Sequence, residues 1–218
     1  MIDFRDSIPS GRTGRYPLDP AAVIGIAIHH CAARAPFDWL EDREHQHLLA
    51  IDRYHQTLDY GGFGYHLAVF PSGRWYYCGD LGFARAHVAS RNFELIGVAL
   101  MGTFTHDPPP DDQLCAAAEA IAFVHETYPD RPVRGHRDWA LPAYPTACPG
   151  DTWPSWAAAL EPAPVAANPG LDELVTLLGD VVQVGVLVRN ESGDLVVEPR
   201  PVTYREFIQL HAAGLVAH

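Results

Sequence analysis

Two neighbouring stretches hold residue types able to do chemistry. Gly135-His136-Arg137-Asp138-Trp139 and Thr146-Ala147-Cys148-Pro149-Gly150 put an imidazole and a thiol on one short piece of chain, with turn-forming residues between them. Both groups are ligands for a borderline-soft cation, and together they ask for a third. Far upstream, Ile26-Ala27-Ile28-His29-His30 ends an apolar run in two histidines. Two His and one Cys around a divalent ion leave one coordination position open, which structural zinc sites usually do not. The chemistry implied is catalytic: such an ion keeps a net positive charge, lowers the pKa of a bound water toward about 7 and polarises a carbonyl.

Strands must end at these residues if they are to meet. Ala21 to His29, with Val23, Ile24, Ile26 and Ile28, is too short for a helix and is bounded by breakers. It reads as a buried strand that delivers His29 at its carboxyl end. From Arg43 to Leu58 the apolar positions Leu48, Ile51, Tyr54 or His55, and Leu58 recur at helical spacing, and Gly61-Gly62 stops them. Two aromatic-rich runs flank Pro71-Ser72-Gly73 as a hairpin, with Trp75, Tyr76 and Tyr77 as packing residues. Leu95 to Met101 is a further strand closed by Gly102. The prolines before Asp111-Asp112 set up a helix with Leu114, Ala117, Ala118, Ile121, Val124 and Tyr128 on one face. Pro132 to His136 is brief and extended, and Trp153 to Leu160 forms a last short helix. Strands and helices interleave without strict alternation, so the class is α/β with a mixed central sheet flanked by helices. Functional groups then gather beyond the strand ends.

Composition narrows the setting. A hydrophobic content of 48% with 19% charged residues describes a folded chain. The net charge of −12, with no block of Lys or Arg, argues against nucleic acid as a partner. An acidic surface also means that binding to an anionic wall polymer would need a specific pocket. Cys31, Cys78, Cys115 and Cys148 are dispersed, which fits a reducing compartment with three buried thiols and one ligand. The acidic start, Met1-Ile2-Asp3-Phe4-Arg5-Asp6, lacks the pattern of a signal peptide, and no apolar run approaches a membrane span. The expectation is therefore cytoplasmic synthesis without a membrane anchor. Residues 1–20 read as an irregular arm on a domain spanning 1–160, and 161–170 as a proline-stiffened linker. Residues 171–218 read as a small α+β module that would gain from docking or from homo-oligomerisation.

Six motifs in order complete the picture. These are the run ending in His29-His30, Gly64-Tyr65-His66, Ala86-His87 with Asn92, Ile96-Gly97-Val98 leading to Met101-Gly102, Gly135-His136-Arg137-Asp138, and Thr146-Ala147-Cys148-Pro149-Gly150. From about residue 20 to 160 the chain resembles the zinc N-acetylmuramoyl-L-alanine amidases of the amidase-2 type, a group that includes amidase-type phage lysozymes and catalytic peptidoglycan recognition proteins. The resemblance implies a mixed sheet with zinc in a groove on one face and His29, His136 and Cys148 as its ligands. His30 points the other way along the strand and is a supporting residue. Tyr65 is implied to contact the metal-bound water or the oxyanion, and Thr146 stands where some relatives carry lysine. His87 and Asn92 match positions that line the substrate groove, although Asn92 equally suits holding its own loop. Asp138 is expected to steady the outer ring nitrogen of a ligand histidine. Glu94 is the nearest carboxylate on its segment, at a place not usually acidic in the family.

The activity implied is hydrolysis of the amide between N-acetylmuramic acid and L-alanine in peptidoglycan. A phage-type endolysin that degrades the cell wall after release is the first expectation and a cytoplasmic muropeptide-recycling amidase the second. A peptidoglycan-binding protein without activity is the rival, against which Cys148 weighs, since non-catalytic members commonly lose it.

Overall fold

The apolar, β-branched runs become the strands of one sheet because parallel strands covered on both faces need apolar side chains throughout. The structure, a computed structural model, describes residues 1–32 and 40–160 and, further on, the backbone of two strands. The strands are β1 (Ile2–Asp3), β2 (Gly25–His30), β3 (Leu67–Val69), β4 (Trp75–Tyr77), β5 (Leu95–Leu100) and β6 (Val133–Gly135). They lie in the order β1-β4-β3-β5-β2-β6. Only β3 and β4 run antiparallel, as the hairpin; every other pairing is parallel, so the sheet is mixed as expected.

Alternation along β2 sorts its side chains between two layers. Ile26 and Ile28 join Ile96, Val98 and Leu100 in the core beneath helix α2 (Asp111–Thr127). Ala27 and His29 face the opposite side, where helix α1 (Glu41–Thr57) also packs. In α2 the buried stripe is Ala116, Ala117, Ala120, Ile121 and Val124, whose small members let the helix approach the sheet closely. Gln113 ties the same helix down, donating to the carbonyls of Val69 and Met101 at 2.8 and 3.1 Å. Truncating Ile26 or Ile28, both fully buried, would cost about 2–5 kcal/mol.

Helix α1 departs from its expected face. Tyr54 and Leu58 are exposed, whereas Glu44 and Asp52 are buried with Leu48 and His55. The reason is pairing: Glu44 accepts hydrogen bonds from Arg74 Nε at 2.7 Å, Arg74 Nη2 at 3.0 Å and the Tyr76 hydroxyl at 2.6 Å, with Ser72 also donating. A carboxylate so saturated can be buried. The N-terminal arm is also more regular than its composition indicates. Ile2 and Asp3 extend the sheet beside Tyr76 and Tyr77, and Phe4 and Ile8 are buried.

The chain divides into two compact units, Met1–Ala163 and Pro164–His218. In the second, β7 (Val181–Arg189) pairs antiparallel with β8 (Leu195–Thr203). The proline-rich stretch 161–170, the helical spacing at 171–178, the turn at 191–194 and the helix-like run 204–213 lie outside the described residues. Among the described residues no helix is long and apolar enough to cross a membrane.

Candidate metal and active site

Three elements bring the chemical groups together. Strand β2 presents His29, 2% exposed, on the α1 side of the sheet. Strand β6 stops at Gly135, and His136 opens the short helix α3 (His136–Trp139). The loop after it returns Cys148 to the same place, because Arg137 fastens it: the Arg137 N–H donates to the Cys148 carbonyl at 2.8 Å and its guanidinium to the carbonyls of Ala147 and Gly150. A ligand atom from each of His29, His136 and Cys148 lies within 4.8 Å of the others.

The tautomers follow from the surroundings. His87 sits on His29, Nδ1 to Nε2 at 3.1 Å, and its own Nε2 lies 3.1 Å from the carbonyl of Leu95. A carbonyl only accepts, so His87 carries its proton on Nε2 and must receive one from His29 Nε2. The lone pair of His29 is then on Nδ1, which lies 3.7 Å from Cys148 Sγ. Nitrogen and sulfur bound to zinc at about 2.1 and 2.3 Å with a tetrahedral angle would lie roughly 3.6 Å apart, so the pair fits such an ion. Burial holds the pKa of His29 well below that of an ordinary imidazole and lowers that of His136, which keeps both neutral, as ligands must be. Burial also raises the Cys148 thiol to about 11, so a cation must displace its proton.

Around this cluster stand hydroxyls. Tyr65 lies beside His29 with ring centroids 5.1 Å apart, and among the described residues its phenol makes no hydrogen bond. Burial raises its pKa above the usual phenol value, so it stays a proton donor. Its position is set from both sides: the Gly64 N–H donates to His55 Nδ1 at 2.9 Å, and His66 bridges the Gly97 N–H and the Phe83 carbonyl. Thr146 Oγ1 accepts from the Cys148 N–H at 3.2 Å, leaving its own proton to donate elsewhere. A groove of about 490 Å³ opens here, lined by Tyr60, His87, Asn92, His136, Tyr144 and Thr146.

Several expected roles change. His87 lines the groove, and both its ring nitrogens are engaged there, one with His29 and one with the Leu95 carbonyl. Gly97 makes room for it, since a Cβ there would come within 2.8 Å of the His87 ring. Asn92 lines the groove while its Oδ1 accepts from the N–H groups of His87 and Val88, both at 2.9 Å, which fixes that loop. Asp138 does not meet a histidine ring; its Oδ2 accepts from the Gly135 N–H at 3.0 Å and Trp153 Nε1 at 2.8 Å, capping the helix that starts with His136. His30 Nδ1 accepts from the Phe104 N–H at 3.3 Å on the opposite side of the strand. Glu94 is paired with Arg91 at 2.9 Å. Of the other thiols Cys78 is buried and Cys31 half-buried, but Cys115 is exposed. Sequence reasoning missed the stapling by Arg137 and the groove walls at Tyr60 and Tyr144; only the Arg inside the His136 motif hinted at the first.

With this geometry in view, comparison with known proteins decides the family. Residues 19–151 match the amidase-2 family model, described as N-acetylmuramoyl-L-alanine amidase. The chain belongs to this family. It is 30% identical over 166 residues to human N-acetylmuramoyl-L-alanine amidase, a match covering 69% of this chain and 28% of the human protein. It is 28% identical over 155 residues to a peptidoglycan-recognition protein of Drosophila melanogaster, covering 65% of this chain and 80% of that one. The chain thus spans well under half of the human relative and most of the insect one. In fold this amidase-2 member resembles PGRP-SA of Apis mellifera, with a TM-score of 0.59 at 22% identity over 69% of this chain and 89% of that one. It also resembles the amidase LysC of Clostridium intestinale, with a TM-score of 0.52 at 18% identity over 77% and 95%.

Proposed function

We propose that the protein is a zinc amidase that hydrolyses the bond between N-acetylmuramic acid and L-alanine in peptidoglycan. One observation carries the reading: two neutral imidazoles and a thiol bring one ligand atom each within 4.8 Å of the others beside a groove, in a chain of the amidase-2 family. His29 Nδ1, His136 and Cys148 would hold the ion. When bound, zinc supplies Lewis acidity toward a carbonyl oxygen and acidifies a water.

The protein's own groups do the rest. His87 and the Leu95 carbonyl hold the His29 ring in the tautomer that turns Nδ1 inward. Arg137 and Asp138 fix the loop and helix that carry Cys148 and His136. Tyr65, kept protonated by burial, offers its O–H to negative charge building on the scissile carbonyl oxygen. Thr146 offers a second, uncharged donor, so the demand on Tyr65 is greater than where lysine stands in that place. Asn92 and His87 shape the groove wall that receives the substrate.

A wall-degrading role of the endolysin kind is the finer reading, supported by the second compact unit at Pro164–His218, which could add wall binding or self-association. Digestion of purified sacculi followed by mass spectrometry tests the activity. The expected product is stem peptide with a free L-alanine amino terminus; unchanged sacculi and unchanged soluble muropeptides would refute it. Cleavage of muropeptides alone would move the role to recycling.

A further inference from the structure

A second pocket adjoins the groove and is completed by the N-terminal arm, whose residues 14–16 lie outside the stretch that matches the family. It holds about 270 Å³ and is lined by Arg15, Tyr16, Asp59, Tyr60, Arg85 and Phe93, among others. Tyr60, Ala86 and Asn92 also belong to the reaction groove, so the two spaces share a wall.

The pocket is rigidly built. Buried Arg85 donates to the carbonyls of Ser10, Gly11 and Thr13, which pins the arm. The Ala84 N–H donates to the Tyr16 carbonyl and the Leu18 N–H to the Gly82 carbonyl, at 2.9 and 2.8 Å, which fixes Tyr16 beside Phe93. The two rings lie 5.6 Å apart, and each remains about half exposed, at 52% and 51%. Arg15 closes the far side by pairing with Asp59 at 2.9 Å. Preorganised exposed aromatics of this kind present flat apolar faces with polar rims.

The charge pattern selects the ligand. Arg15 and Asp59 pair with each other, and both terminal nitrogens of Arg85 donate to backbone carbonyls of the arm, while its buried Nε faces Gly79, which is not among the pocket's lining residues. A charged peptide end would have to break an existing pair. A neutral polyhydroxyl ring need not: its C–H face can lie on an aromatic ring while its hydroxyls use the remaining N–H donors of Arg15 and the free oxygen of Asp59. The volume suits one sugar ring, being below that of drug-sized sites. We propose that this pocket binds a neutral pyranose of the glycan strand next to the muramoyl residue being cut, so that the arm is a saccharide subsite. The proposal rests on the amidase reading for its choice of glycan.

The test is calorimetric titration of the full-length zinc-loaded protein with a peptide-free β-1,4-linked N-acetylglucosamine tetramer. Saturable binding is expected, weakened about tenfold by Tyr16→Ala or Phe93→Ala, the loss of one stacked ring. Tyr16→Phe, which keeps the ring, should bind as the parent does and shows that the arm still folds. In parallel, the KM for a glycan-bearing substrate relative to a minimal muramoyl peptide should rise about tenfold in the alanine variants. No binding by the parent protein, equal binding by parent and alanine variants, or the same sensitivity shown by a sugar-free stem peptide would each overturn the proposal. Cleavage of the minimal muramoyl peptide by the parent protein judges the amidase reading separately: if it is cut and the tetramer does not bind, only the subsite fails.

Discussion

Two buried polar clusters sit on the same side of the sheet, and they are built to opposite ends. Around Glu44, under α1, both carboxylate oxygens are taken by Arg74, Tyr76 and Ser72. Around His29, the outer nitrogens are satisfied by His87 and Leu95, while Nδ1, the His136 ring and the Cys148 sulfur gather within 4.8 Å of one another, with Nδ1 and the sulfur 3.7 Å apart. The first cluster is complete without a ligand. The second gathers three potential metal ligands of soft and borderline type beside a groove. Buried polarity alone therefore does not mark a candidate functional site; convergence of metal-ligating atoms beside a groove does.

Substitution should separate the clusters cleanly. The largest effect is expected at Cys148: Cys148→Ala should lose the bound zinc and at least about a thousandfold in kcat/KM, while its melting curve without metal stays close to the parent's. Metal analysis and amide-cleavage assays on one preparation check both. Glu44→Ala should do the reverse, lowering stability by about 3 kcal/mol in urea unfolding because Arg74 and Tyr76 lose their acceptor, with zinc stoichiometry unchanged in the folded fraction.

How much of this difference was legible beforehand depends on where the partners lie. Strands β2 and β5, the hairpin and α2 follow from apolar runs and breakers in their own segments, and the chain's resemblance to zinc amidases named the residues that converge. The burial of Glu44 could not be read, because its partners Arg74 and Tyr76 arrive from the hairpin and make a charged position behave as core. The orienting role of His87 was hidden for a related reason: its acceptor is a backbone carbonyl, which carries no side-chain signature. Asp138 has the same difficulty, since its partners are an N–H group and the indole of Trp153. The arm looked irregular because its regularity comes from bonds to residues 76–85 and not from a pattern of its own.

A smaller effect tests the orienting chain within the open cluster. His87→Ala should weaken zinc binding about 10–100-fold in a chelator competition, and His87→Asn, whose amide oxygen can accept the same His29 proton, should recover part of it. Equal zinc affinity in all three proteins would remove His87 from the site.

The smallest expected effect is a pH dependence of stability. Burial holds His55 at about 4, below the ordinary imidazole value, while its Nδ1 accepts from Gly64 beside Tyr65. The unfolded chain thus binds the extra proton first, so the stability His55 contributes is present above pH ~6.5 and drains away as pH falls toward ~4. Replacing His55 with Gln should flatten that part of a urea-midpoint profile.

The central claim is that the open cluster becomes an amidase only when a cation fills it. The most direct measurement is to strip metal with a chelator and return zinc stepwise, reading new L-alanine amino termini from peptidoglycan at each step. Cleavage rising linearly to a plateau at one zinc per chain, and none with Cys148→Ala, is the predicted result. Full cleavage by the stripped protein, or none at one bound zinc, would contradict it.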